Sequence, residues 1–133
     1  MKKFKRILLV DDDDTSNLLT SMIISDMDIS EGVDVATNGE EALSHLINHC
    51  SLKDNGNNEQ CPELILLDIN MPIMDGFEFL EAYSKRADIC NNIPVVMLSS
   101  SSNAKDHERA SAFNVKGYIV KPLNEEKLQQ LLN

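Results

Sequence analysis

At 133 residues, the chain has the length of one domain, long enough to bury a core without disulfide or metal staples. Its 42% hydrophobic and 26% charged residues are ordinary for a globular protein. A formal net charge of −10 argues against nonspecific binding to DNA or to anionic membranes. The cysteines Cys50, Cys61 and Cys90 are odd in number and lack metal-ligand spacing, which predicts no disulfide framework and a reducing compartment. The basic start, Met1–Arg6, leads into only four apolar residues, unlike a signal peptide, and no run approaches membrane-spanning length. Cytoplasmic is the expected location.

In chain order, the first strand is predicted over 5–10, and its apolar end, Ile7-Leu-Leu-Val10, empties into Asp11, Asp12, Asp13 and Asp14. A helix is predicted over 15–27, with Leu18, Leu19, Met22 and Ile23 as its apolar stripe. The strand predicted over 33–37 alternates apolar and polar residues, as suits a sheet edge. Asn38 is an N-cap for a helix over 39–49, with Glu41 as its reciprocal partner and Ala42, Leu43, Leu46 and Ile47 as its stripe. The stretch from Cys50 to Pro62 is polar, turn-rich and longer than a usual helix-to-strand connection, so it reads as a surface loop.

The runs Leu64-Ile-Leu-Leu67 and Val95-Val-Met-Leu98, within strands predicted over 63–67 and 93–98, lack alternation, as expected of parallel strands covered on both faces. Between them a helix over 75–86 carries Phe77, Leu80 and Tyr83 or Ser84 on its apolar face. The helix predicted over 103–113 has only Ala104, Ala110 and Phe113 as apolar anchors and is expected to be loosely held. A last strand over 117–120 is followed by a helix over 125–132, capped by Asn124 and stapled by Leu123 and Leu128. Five strands alternating with five helices imply an α/β fold, (βα)5, with a doubly wound five-stranded parallel sheet in three layers and right-handed crossovers. No linker or second domain is visible, so residues 1–133 are expected to be one domain without an output module.

Carboxylates gathered at strand ends repel one another, which raises their pKa values or demands a cation. Oxygen-only ligands suit Mg²⁺ better than a transition metal. Asp11 and Asp12, nearest the strand end, are the metal candidates, and Asp13 or Asp14 is read first as a helix cap. Asp68 closes a third apolar strand, where open α/β sheets hold ligands. Ser99 follows the fourth strand; its hydroxyl could donate to a phosphoryl oxygen, or cap a turn within Ser99–Ser102. Lys121 follows the fifth strand, where it could reach an anion held over Asp68 or be an ordinary surface lysine. The Lys121–Pro122 bond is a candidate cis peptide.

The motifs Val10-Asp-Asp12, Leu66-Leu-Asp68-Ile-Asn-Met-Pro72, Met74-Asp-Gly76, Ile93-Pro-Val-Val-Met-Leu-Ser99 and Tyr118-Ile-Val-Lys-Pro122 together resemble the receiver domain of two-component response regulators, in family order and over essentially the whole chain. The resemblance implies the flavodoxin-like strand order 2-1-3-4-5, in agreement with the edge character of the second strand. It implies Asp68 as phosphoacceptor, taking phosphate from a histidine kinase or histidine phosphotransfer protein. It further implies Mg²⁺ held by Asp11, Asp12, the Asp68 side chain and the Asn70 carbonyl, Lys121 on the phosphoryl oxygens, and Ser99 and Tyr118 as switch residues. A single-domain, chemotaxis-regulator-like protein is expected. It would catalyse only its own phosphorylation and dephosphorylation, and would signal to an unidentified downstream protein as a monomer or phosphorylation-dependent dimer, with no direct nucleic-acid or membrane contact.

Three other readings compete for these residues. Asp11-Asp-Asp13-Asp14-Thr15 satisfies the nucleophile motif of haloacid-dehalogenase-type phosphohydrolases, with Asp11 phosphorylated and Asp13 as acid/base, but leaves the Asp68 motif unexplained. A flavodoxin-like flavin module would place four acids against the flavin phosphate. A receiver-shaped interaction domain that is never phosphorylated would not require the full set of site residues.

Overall fold

The computed structural model describes residues 3–54, 59–90, 92–100, 104–113 and 115–132. Within them the chain alternates strand and helix: β1 (Ile7–Val10), α1 (Asp14–Met27), β2 (Val33–Ala36), α2 (Gly39–His49), β3 (Leu64–Asp68), α3 (Gly76–Ser84), β4 (Val95–Ser99), α4 (Ala104–Ser111), β5 (Gly117–Val120) and α5 (Glu125–Leu132). All four strand pairings are parallel, in the order β2-β1-β3-β4-β5, so the alternating strand β2 does lie at the margin. The predicted helix start at 103 and residues 101 and 102 of the Ser99–Ser102 run lie outside the described residues, as does part of the predicted loop from Cys50 to Pro62.

The pleat sends alternate side chains to opposite faces, and this divides the core in two. Leu8, Val10, Ile65, Leu67, Val95 and Met97 pack with Ala42 and Leu46 of α2, Phe77 and Phe79 of α3 and Ala110 of α4. Ile7, Leu9, Leu64, Leu66, Val96 and Leu98 pack with Ile24 of α1 and Leu128 of α5. The result is three layers, with each fully buried Leu or Ile contributing about 1.5–3 kcal/mol. As expected of its weak pattern, α4 buries only Ala110, and Arg109 lies over the Phe77 ring, 4.3 Å from its centroid.

Helix α1 departs from its predicted stripe. Asn17, Thr20 and Ile24 face the core, while Leu18, Leu19 and Met22 stand 62%, 55% and 54% exposed. Two adjacent apolar pairs at helical spacing define two possible faces, and the inward one was chosen by Asn17, whose amide donates to the Asp11 carbonyl at 2.8 Å. Asn38 caps α2 by accepting from the Glu41 N–H, but Glu41 accepts from the Thr37 hydroxyl at 2.6 Å rather than serving as the reciprocal partner. A full capping box instead opens α3, between Asp75 and Glu78.

The cysteines also depart from expectation. Cys50 and Cys61 form a disulfide, with Cα atoms 5.1 Å apart, because the connection after α2 turns back and delivers Cys61 beside the helix end. Sequence spacing carries no trace of that return. Lys121–Pro122 is cis. Among the described residues, no helix is long and apolar enough to cross a membrane.

Candidate functional site

The strand ends build the site. The register pairs Val10 with Leu67, Asp68 with Leu98, and Ser99 with Val120, so one edge receives Asp11, Asp12, Asp68, Ser99 and Lys121. Strands β3 and β4 run one residue further than predicted: Asp68 and Ser99 are their last residues rather than the first beyond them. At that extra ladder position both side chains are buried. Tyr118, paired with Met97, lies further back on β5, where its ring stacks on His107 of α4 at 3.6 Å between centroids.

Asp11, Asp12 and Asp68 each offer a carboxylate oxygen, and these atoms all lie within 4.8 Å of one another. Asp11 and Asp68 are buried and Asp12 is exposed, which leaves the cluster open to solvent on one side. A hard divalent cation that keeps part of its water shell fits such an all-oxygen set. Lys121 reaches the same cluster. Its Nζ is 2.7 Å from Asp11 Oδ2 and 3.7 Å from Asp68 Oδ1, and its backbone N–H donates to the Ser99 carbonyl at 2.7 Å.

Asp68 carries the electrostatic consequence. Burial pushes its carboxyl up to about 6; Lys121 opposes the rise, Asp11 adds to it, the Ile69 N–H opposes it and Asp12 adds to it. That N–H donates to Oδ1 at 2.9 Å. The carboxylate is therefore charged near neutrality but poorly compensated, as suits a group that will bind a cation or accept an electrophile.

The acidic turn is fixed from below. Asp11 Oδ1 accepts from the Asp13 N–H at 3.0 Å, and Asn17 holds the Asp11 carbonyl. Asp13 is the N-cap of α1, accepting from the Thr15 N–H, so the capping reading holds for it; Asp14 is the first helical residue. This role leaves Asp13 poorly placed as an acid/base for a phosphohydrolase centred on Asp11.

The turn after β3 is equally tight. An ideal Cβ on Gly76 would lie 2.5 Å from the Asp68 carbonyl oxygen and 3.0 Å from Ile69 Cα, and the Gly76 N–H donates to the Ile69 carbonyl at 2.8 Å. Glycine thus lets α3 start directly against the backbone of Asp68. Asn70 opens this turn as an exposed residue, and Ile73 within it takes a left-handed φ of 68°. Asn17 and His107 were not singled out from sequence, and Gly76 stood in a quoted motif without an assigned role. Only Gly76, in its Met-Asp-Gly setting beside a turn, carried a local signal.

The model of the response regulator receiver domain family matches residues 7–133. Among curated proteins, the chain is 32% identical over 124 residues to the probable methanogenesis regulatory protein FilR2 of Methanothrix harundinacea, covering 93% of this chain and 76% of that protein. Several other curated relatives are longer, and the chain spans about half their length. Among solved structures, a two-component response regulator from Cytophaga hutchinsonii aligns with a TM-score of 0.84 at 31% identity, over 99% of this chain and 96% of that one. The phosphorylated cyanobacterial phytochrome response regulator RcpA aligns with a TM-score of 0.75 at 30% identity, over 96% and 88% of the two chains.

Proposed function

Because the chain belongs to the response regulator receiver family, we propose that Asp68 is its phosphoacceptor, taking a phosphoryl group from a phosphohistidine donor protein. The observation that carries this reading is the buried Asp68 carboxylate, held within reach of both a carboxylate cluster and the Lys121 ammonium. The Asp68 oxygen attacks phosphorus as the bond to the donor nitrogen breaks. Phosphoryl transfer asks chiefly for positioning and for neutralisation of charge on the equatorial oxygens. Lys121 supplies one neutralising charge, anchored through its backbone to Ser99. Asp11, Asp12 and Asp68, with the Asn70 carbonyl, would hold Mg²⁺, which would supply the second neutralising charge.

The product carries about −1.5 to −2 charge and new acceptor oxygens. The Ser99 hydroxyl is the donor we assign to one of them. Tyr118 and the weakly anchored α4 would carry the change to the surface, where another protein reads it. The exposed strip of Leu18, Leu19 and Met22 on α1 suits the donor: it is apolar, follows the acidic turn directly and is not used by the core. In this reading the chain's only catalysis is its own phosphorylation and dephosphorylation, carried out in the cytoplasm.

Incubation with acetyl phosphate and Mg²⁺, followed by intact mass, tests the proposal. The wild type is expected to gain one phosphoryl group, and Asp68→Asn and a chelated wild-type sample none. Equal labelling of the wild type and Asp68→Asn would overturn it.

A further inference from the structure

The three cysteines come from three separate parts of the chain and all pack against the core cluster that faces α2 and α3. Cys50 is the C-cap of α2 and is buried, while Cys61, before β3, and Cys90, between α3 and β4, are half-buried and pack against the same cluster. Cys50 is already bonded to Cys61, but it has a second neighbour. An isolated antiparallel bridge joins Ser51 to Ile89, flanked by hydrogen bonds from the Leu52 N–H to the Asp88 carbonyl at 3.1 Å and from the Cys90 N–H to the Cys50 carbonyl at 2.9 Å.

That pattern places Cys90 directly opposite Cys50. The hydrogen bond from the Cys90 N–H to the Cys50 carbonyl holds the two backbones side by side, with Cys50 in the non-extended conformation of a helix C-cap. Exposure separates the roles. Cys61 and Cys90 both line a groove of about 400 Å³ with Phe4, Pro62 and Pro94, so small molecules can reach them, whereas Cys50 is screened. The Cys90 thiol donates to Asn92 Oδ1 at 2.9 Å, which keeps it ordered at the groove wall.

We propose that Cys50, Cys61 and Cys90 form one thiol–disulfide exchange site, in which buried Cys50 is the shared sulfur and Cys61 and Cys90 are its alternative partners. The Cys90 thiol loses its proton to solvent and its sulfur attacks Cys50 Sγ. The Cys50–Cys90 bond forms as the Cys50–Cys61 bond breaks, and Cys61 leaves as a thiolate that takes up a proton. No net oxidation occurs. Low-molecular-weight thiols and disulfides enter through the groove and set how many chains carry either bridge. Exchange moves the tether on the end of α2 from the approach to β3 to the connection before β4, and it presents a free Cys61 thiol in the groove. This holds whether or not Asp68 is phosphorylated.

The test uses the full chain equilibrated in a glutathione redox buffer, acid-quenched, blocked with N-ethylmaleimide and mapped as unreduced peptides. The wild type is expected to give both the 50–61 and the 50–90 linked peptides, with the remaining label divided between Cys90 and Cys61. Cys61→Ser is expected to form the 50–90 bridge in the same glutathione buffer, with oxidised glutathione as the oxidant, while keeping a cooperative urea transition. A folded Cys61→Ser protein in which Cys50 and Cys90 stay unbridged, or carry glutathione without passing it on, would overturn the proposal. Should Cys61→Ser lack a folding transition, the wild-type map decides: recovery of the 50–90 peptide supports the site, and recovery of 50–61 alone contradicts it.

Discussion

The Lys121 ammonium lies a full ångström nearer to Asp11 than to Asp68, at 2.7 Å against 3.7 Å. Its charge is thus committed first to the flanking acid, and the central carboxylate is left undercompensated, with its pKa pushed up to about 6 chiefly by burial. A phosphoryl group on Asp68 would present a larger negative charge and more acceptor oxygens. The ion pair to Asp11 is therefore a contact that modification of Asp68 would compete for.

The raised pKa of Asp68 makes a signed prediction. Between about 3.8 and about 6 the folded state binds this proton and the unfolded state does not. The contribution of Asp68 to stability is therefore fully present below that window and is lost as pH rises through it. Asp68→Asn removes the penalty. Urea denaturation in EDTA should find the variant more stable than wild type near neutral pH by roughly 1–2 kcal/mol, after allowance for solvent screening at the open side of the cluster. The difference should shrink steadily as the pH falls toward 4.

Gly76 should tolerate no side chain. The atoms that a Cβ would meet, the Asp68 carbonyl oxygen at 2.5 Å and Ile69 Cα at 3.0 Å, are backbone and cannot swing aside. Gly76→Ala should destabilise by about 1–3 kcal/mol, read as a lower urea midpoint with unchanged slope. It should also slow acetyl phosphate labelling, because relief of the clash moves the backbone of Asp68 itself.

Ile73 presents the opposite case. A β-branched residue at φ 68° is in the left-handed region, where its Cβ crowds the following carbonyl, and its side chain is 74% exposed. Little packing is lost on replacement. Ile73→Asn should raise stability by about 1 kcal/mol, measured as a higher urea midpoint.

The sheet and the acidic edge were legible because both rest on local signals: apolar runs of strand length, each followed by a polar residue. The α1 face was not legible. Leu18-Leu19 and Met22-Ile23 read as a core stripe, whereas the buried face contains Asn17 and Thr20, and Asn17 is buried because it satisfies the Asp11 carbonyl across the turn. The Cys50–Cys61 bridge and the His107–Tyr118 stack are likewise tertiary. Each depends on how a connection returns, which composition and periodicity do not encode. The elevated pKa of Asp68 could be anticipated in direction from the crowding of acids, but its leading cause is burial, which only the fold supplies.

The exposed apolar strip on α1 is predicted to serve donor docking rather than stability. Leu19→Glu should leave the unfolding free energy from urea denaturation within about 0.5 kcal/mol of wild type and leave acetyl phosphate labelling unchanged. Transfer from a phosphohistidine protein should fall about tenfold in kcat/KM, the loss expected for one contact residue. A parallel loss with acetyl phosphate would mean that the substitution disturbs the site itself.

The central claim is that Asp68, and no other acid at the sheet edge, carries the phosphoryl group. Borohydride reduces an aspartyl phosphate to homoserine, so reduction of the acetyl phosphate-treated wild type followed by peptide mass mapping locates the adduct. The account predicts homoserine at position 68 alone, dependent on Mg²⁺. Homoserine at position 11, or an adduct on any residue that forms equally well in EDTA, would contradict it.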